Sequence, residues 1–152
     1  MSAPSDPRRY KRPESVLVVV ATAGGDVLLL RRREPPGFWQ SVTGSLRWDE
    51  DPTQAARREL AEETGLVPAA GPEDTGRINH YPIIPPWTER YGPGTLENTE
   101  YVFFLCLDEQ PIIRLNSEEH DDMLWLPAAE AANTASSATD RAAIREFAGS
   151  LG

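Results

Sequence analysis

Glu59, Glu62 and Glu63 stand close together in the run Arg58-Glu59-Leu60-Ala61-Glu62-Glu63. On a helix, positions i, i+3 and i+4 share a face, so the three carboxylates would project side by side. Such a face works against the helix that carries it. Like charges four residues apart cost ~0.2–0.5 kcal/mol, and anions near the C-terminus meet the negative end of the macrodipole. A solvated acidic face is the plain alternative, and for an isolated Glu-x-x-Glu-Glu it is the better one. The neighbours argue for a compensating cation. Arg58 supplies one positive charge, and a cluster of hard oxygen ligands suits Mg²⁺ or Mn²⁺. Gly44, at the end of an apolar stretch, lets the backbone approach a ligand and offers its carbonyl as a further oxygen.

The elements that must position these residues can be read from pattern. A helix is expected to start at the N-cap Asp51, with Pro52 in its first position and Gln54 completing a capping box. Gly65 is the residue type favoured in the left-handed cap that ends a helix. Val16–Thr22 and Val27–Arg32 are apolar and β-branched around the turn Ala23-Gly24-Gly25-Asp26, and read as neighbouring strands buried on both faces. Further strands are expected at Phe38–Thr43, Gly76–Ile84 and Glu100–Leu107, with Met123–Leu126 the last and shortest. Pro127–Ala132 reads as a short helix. A second well-signalled helix begins at the N-cap Ser137 and carries the stripe Ile144, Phe147, Ala148 and Leu151. Strands buried on both faces and mixed with a few helices imply a sheet between helices, an α/β fold. The irregular segment Pro85–Asn98, with Trp87, Arg90 and Tyr91, is long enough to suggest a functional loop.

Composition sets outer limits. The 152 residues carry a net charge of −9, with 39% hydrophobic and 26% charged side chains. That describes a soluble chain of single-domain size, taken as one domain over residues 1–152. The acidic balance argues against nucleic acid and anionic membrane surfaces as partners, though not against a phosphorylated small molecule met by local cations. No apolar run approaches the ~20 residues of a membrane helix. The polar, basic Met1–Pro13 has no signal-peptide core. The lone Cys106 fits a reducing cytosol, and its place in the apolar run Tyr101–Leu107 suggests a small buried side chain. Oligomeric state is left open.

The whole array, Gly44-x5-Glu50-x7-Arg58-Glu59-Leu60-x-Glu62-Glu63-x-Gly65-Leu66, resembles the Nudix box at every specified position. Chance agreement anywhere in the chain is on the order of 10⁻⁷ or less at ordinary residue frequencies. The resemblance implies an α/β/α sandwich with a mixed sheet and a catalytic loop–helix–loop, cutting pyrophosphate bonds with Mg²⁺ or, in its place, Mn²⁺. It implies metal ligation by Gly44, Glu59, Glu62 and Glu63, and by a glutamate before the last strand. Glu119 is taken for that role over Glu118. Glu62, Glu59 and Arg58 are the candidate catalytic residues: a carboxylate accepts the proton of the attacking water, while Arg58 orients the cluster. Glu50 would support the loop.

The flanks narrow the family further. Tyr10–Pro13, Phe38–Gly44, Arg90-Tyr91, Asn98–Glu100, Glu119-His120 and Trp125-Leu126 are similar to the bacterial Nudix enzymes that convert 7,8-dihydroneopterin 3'-triphosphate to the monophosphate and pyrophosphate in folate biosynthesis. That likeness implies phosphate contacts from Lys11 and Arg32, whose guanidinium can donate two parallel hydrogen bonds. It implies a ring pocket of Tyr81, Pro82, Ile83 and Ile84, with Thr43 and Ser137 in reach of the substrate. A (d)NTP pyrophosphatase that cleans nucleotide pools is the alternative on the same scaffold. An idle binding module is the third reading. Trp39 and Trp125 are assigned to the core, Trp87 to stacking, and His80 to an exposed position.

Overall fold

The computed structural model describes residues 9–85 and 87–151. Part of the basic N-terminal stretch, residues 1–8, and residues 86 and 152 lie outside the described residues. Seven strands form one mixed sheet: β1 (Glu14–Thr22), β2 (Asp26–Arg32), β3 (Trp39–Gln40), β4 (Val42–Ser45), β5 (Glu73–Pro82), β6 (Glu97–Leu107) and β7 (His120–Pro127). Helix α1 (Pro52–Thr64) follows β4, and α2 (Ala128–Thr134) and α3 (Ala138–Ala143) close the chain. A π-helical turn, Ile144–Ala148, continues α3.

β1 is the backbone of the sheet. It runs parallel to β6 through an unbroken register from Glu14↔Thr99 to Thr22↔Leu107. Its run of valines is buried on both faces, as a central strand requires. Successive side chains go to opposite sides. Val16, Val18 and Val20 pack with Ala55, Ala56 and Leu60 of α1. Leu17, Val19 and Ala21 pack with Ala131, Ala132, Ala143 and Ile144 of the terminal helices. The result is the helix–sheet–helix sandwich expected from the sequence.

The other edge of β1 is shared. β4 pairs with its first half, Ser15↔Ser45 to Val18↔Val42, while β2 meets it at Ala21↔Val27. β2 then leaves β1 to pair with β3 and β7. The sheet therefore forks, with β2, β3 and β7 on one prong and β1, β4, β6 and β5 on the other. The single strand expected at Phe38–Thr43 is split by this fork. Ser41, at the break, gives its backbone N–H and its hydroxyl to the Asp140 carboxylate, both at 2.7 Å. That pair of bonds replaces ladder bonds and anchors the fork to α3.

Other boundaries shift for local reasons. β5 begins at Glu73, and its register slips between Asp74 and Ile78 around Gly76, whose φ is 79°. A glycine there makes a bulge inside the strand rather than its start. Ile83 and Ile84 consequently fall beyond the strand. β7 has eight residues and is longer than expected, whereas β3 has two. Cys106 is exposed, not buried. Its strand neighbour β5 begins opposite Phe104, so Cys106 stands past the end of that ladder. No helix among the described residues is long and apolar enough to cross a membrane.

Candidate active site

α1 is a helix for the reasons its sequence announces. Asp51 accepts from the Gln54 backbone N–H, the Gln54 side chain returns a bond to the Asp51 N–H, and Pro52 fills the first turn. Gly65 ends it at φ 78°. Leu60, Ala55 and Ala56 point into the core, Glu59 and Glu63 face the fork, and Arg58 and Glu62 lie beside them toward the outside.

Arg58 organises that flank. Its guanidinium grips Glu50 through two bonds of 2.7 and 2.8 Å and donates to the Ser45 carbonyl at 3.0 Å. Its remaining nitrogen reaches Glu59 at 2.8 Å and Glu62 at 3.2 Å. Glu50 also accepts from the Arg47 N–H, which ties the loop before α1 to the helix. Glu50 lies below the usual carboxylate range chiefly because Arg58 bonds to it.

Glu59 and Glu63 face a cavity of about 840 Å³ that lies in the fork and is lined by both prongs. Its size is that of a small-molecule site. Burial raises Glu59 to about 7 despite Arg58, and burial followed by the charges of Glu59 and Glu119 raises Glu63 well above the ordinary value. Glu63 bridges the fork: it accepts from the Thr43 N–H at 3.1 Å and stands 3.9 Å from His120 Nε2. Ligand atoms of Glu63, Glu119 and His120 all lie within 4.8 Å of one another. His120 is held down to about 4 by burial and by Arg32, so it is a neutral imidazole, and its Nδ1 is buried without a partner. A β-carbon at Gly44 would overlap the Glu59 carboxyl group, so glycine is what lets β4 and α1 close on each other.

Crowded carboxyl groups raised by burial and one neutral imidazole, with Arg32 and Lys11 near them but in no ion pair among the described residues, describe a site short of positive charge. A hard divalent ion fits it.

Cations line the same cavity, near enough to Glu59, Glu63 and Glu119 to feel their charge. Lys11, Arg32 and Arg90 border the cavity and make no side-chain ion pair among the described residues. Burial and then the charge of Arg90 lower both Lys11 and Arg32. Arg31, one residue away, points outward and pairs with Asp121 at 2.7 Å. The alternation along β2 thus separates a surface ion pair from a cavity cation.

The remaining sequence candidates can now be placed. Thr43, Gly44, Tyr81, Pro82, Ile83, Ile84, Glu119 and Ser137 border the same cavity as Lys11, Arg32, Glu59 and Glu63. Arg58 and Glu62 do not. Arg58 sits behind Glu59, and the half-exposed Glu62 turns toward Arg58 and Arg47. Trp87 borders the cavity, and Trp39 and Trp125 pack on the two core clusters. The sequence marks Arg90, Asn98, Glu100 and His120 only as matches to related enzymes, with no individual role, and does not mark Asp140 as a site residue; all five line the cavity. The readable signal was Asn98 and Glu100, polar residues at i, i+2 entering an otherwise apolar central strand.

Comparison with known proteins agrees with this geometry. The NUDIX domain model matches residues 11–147. The chain is 41% identical to the dihydroneopterin triphosphate diphosphatase of Escherichia coli (strain K12) over 142 residues, covering 91% of this chain and 93% of that protein. It is 35% identical to the protein of the same name from Haemophilus influenzae over 143 residues, covering 91% and 89%. The solved structure of the E. coli dihydroneopterin triphosphate pyrophosphohydrolase superposes with a TM-score of 0.81 at 38% identity, over 91% of this chain and 97% of that one. A Nudix hydrolase structure from Listeria monocytogenes matches at 0.72 with 21% identity, a likeness of fold.

Proposed function

The chain belongs to the Nudix family, and from that premise we propose that it hydrolyses 7,8-dihydroneopterin 3'-triphosphate to the monophosphate and pyrophosphate. The observation that carries the reading is the single cavity wall on which buried carboxylates and unpaired cations meet. A triphosphate coordinated to a divalent cation supplies both missing charges. The relatives at 35–41% identity are named for that reaction and cover nearly the whole chain.

Glu59, Glu63 and Glu119 would hold the cation, with the Gly44 carbonyl as a further oxygen and His120 adjoining. A bound Mg²⁺ or Mn²⁺ supplies charge neutralisation at the pyrophosphate oxygens and a water of lowered pKa. The chain's own residues do the rest. Lys11 and Arg32 bind the phosphates, and Arg90 adds a third cation from the Trp87–Arg90 turn. Glu59 accepts the proton of the attacking water; it borders the cavity, and Glu62 does not. Arg58 holds Glu59 in place and Glu50 holds Arg58. Tyr81, Pro82, Ile83, Ile84 and Trp87 enclose the ring, and Thr43 and Ser137 contribute hydroxyls.

The test is kcat/KM for dihydroneopterin triphosphate against the four dNTPs with Mg²⁺. We expect the pterin to exceed every nucleotide by ~10-fold or more. A clear preference for any dNTP would replace this reading with that of a nucleotide-pool pyrophosphatase.

A further inference from the structure

Lys11 lies outside every helix and strand, yet it borders the cavity with Arg32 and Arg90 on one hand and Glu59 and Glu119 on the other. A lysine is a point charge on a flexible stem, so where it acts depends on how its backbone is held. Two contacts flank it: the Lys11 N–H donates to the Arg90 carbonyl at 2.8 Å, and the Tyr10 carbonyl accepts from Trp48 Nε1 at 2.9 Å. The next residue holds more. Arg12 does not border the cavity; it enters the loop before α1, where Nη1 donates to the carbonyls of Arg47, Trp48 and Glu50 at 3.0, 3.3 and 2.8 Å. Its Nε gives to Glu14 at 2.8 Å, and Glu14 is fixed in turn by the Tyr101 hydroxyl. These bonds are charge-assisted and largely buried, the Arg12 side chain being 20% exposed.

Arg58 holds the same loop from its other side, through the Glu50 carboxylate. Glu50 is therefore clamped between two arginines: by its side chain from α1, and by its backbone from the residue after Lys11. We propose that Arg12 is a positioning residue for the polyphosphate, tying the segment that bears Lys11 to the loop that Arg58 ties to α1. The tie fixes where the Lys11 ammonium stands relative to the carboxylates of the cation site. The inference rests on the triphosphate reading of the cavity. A cation-bound triphosphate must meet the carboxylates and the basic side chains at once, and a misplacement of ~1 Å costs on the order of 100-fold. Arg12 touches no ligand and acts through Lys11. The competing explanation is that Arg12 only stabilises the loop, in which case its loss would cost the same with or without Lys11.

A double-mutant cycle separates the two. The readout is the Kd of the α,β-methylene analogue of dATP with Mg²⁺, measured calorimetrically; its triphosphate cannot be cut between the α and β phosphates. Lys11→Ala and Arg12→Ala should each weaken binding about 10-fold, and the double variant should bind no more than about 2-fold more weakly than Lys11→Ala. The same cycle is read in KM for the triphosphate the protein turns over, where Arg12→Ala should change kcat less than about 3-fold. Arg12→Lys, whose ammonium has donors for the same carbonyls, should bind within about 3-fold of the wild type. A double variant weakened about 100-fold, the product of the single effects, would overturn the inference. So would an Arg12→Ala protein that binds like the wild type or loses only kcat. If Arg12→Ala does not fold, Arg12→Gln, which keeps a neutral donor, takes its place in the cycle. Non-additive binding without turnover of dihydroneopterin triphosphate would keep the inference and discard the pterin reading, and additive binding with full turnover would do the reverse. A wild type that neither binds the analogue nor turns over a triphosphate overturns both.

Discussion

On one side of α1, Arg58 joins Glu50, Glu59, Glu62 and the Ser45 carbonyl in a network whose charges are matched. On the other side, Glu63, Glu119 and His120 converge, and Lys11 and Arg32 stand along the same cavity near these carboxylates but in no ion pair among the described residues. Both regions are built from the same residue types. They differ in whether the fold completes them. The matched side gives the box its shape, and the unmatched side is left for a cation and a polyphosphate to complete. The contrast recurs within β2, where Arg31 is spent on Asp121 and Arg32 makes no such pair among the described residues.

The contrast predicts opposite mutational signatures. Glu63→Gln removes a ligand from the unmatched side and should lower kcat by at least ~100-fold. Because it also removes a like-charge conflict, the Tm of the metal-free protein should hold or rise. Full activity with a lowered Tm would show that Glu63 belongs to the structural side. Arg58→Ala strikes the matched side: it strands Glu50 and should cost about 2–3 kcal/mol of stability in urea unfolding, alongside lost activity. A variant as stable as the wild type would mean the network is ornamental. Arg32→Ala should raise KM about 10-fold with a smaller change in kcat, if Arg32 holds phosphate equally in ground and transition states. An effect confined to kcat would move Arg32 into transition-state stabilisation.

The smallest effect concerns pH. Glu59 is raised to about 7 and Glu63 is raised well above its ordinary value, chiefly by burial, so in the metal-free protein their contribution is favourable below about pH 4.5, the unfolded value. It is lost as pH climbs through 7. Glu50, lowered by Arg58, has the opposite sign: its contribution is present above that unfolded value and vanishes as acid titrates the folded carboxylate. Thermal unfolding with and without Mg²⁺ should therefore diverge by several degrees more at pH 8 than at pH 5.5. Equal stabilisation at both values would separate metal binding from the buried glutamates.

How much of this the residue pattern disclosed depends on whether the cause was local. α1 was legible to its ends, because capping box, first-turn proline and terminal glycine act within a few residues of each other. The buried runs of β1 and β2 were legible for the same reason. The split at Ser41 was not, because it depends on a carboxylate at Asp140, far along the chain. Gly76 was misread as a strand start because a bulge and a turn use the same residue type. His120 went unassigned because its partners, Gln40 and Glu63, come from different elements that only the fork brings together. Cys106 was misplaced because its exposure follows from where a neighbouring strand begins, not from the apolar run around it.

The most direct test of the central claim is product analysis with purified protein and 7,8-dihydroneopterin 3'-triphosphate, with Mg²⁺ and then with a chelator. We expect one pyrophosphate and one monophosphate per substrate consumed, abolished by the chelator and restored by added Mg²⁺. Release of orthophosphate, turnover that ignores the chelator, or no turnover at all would contradict it.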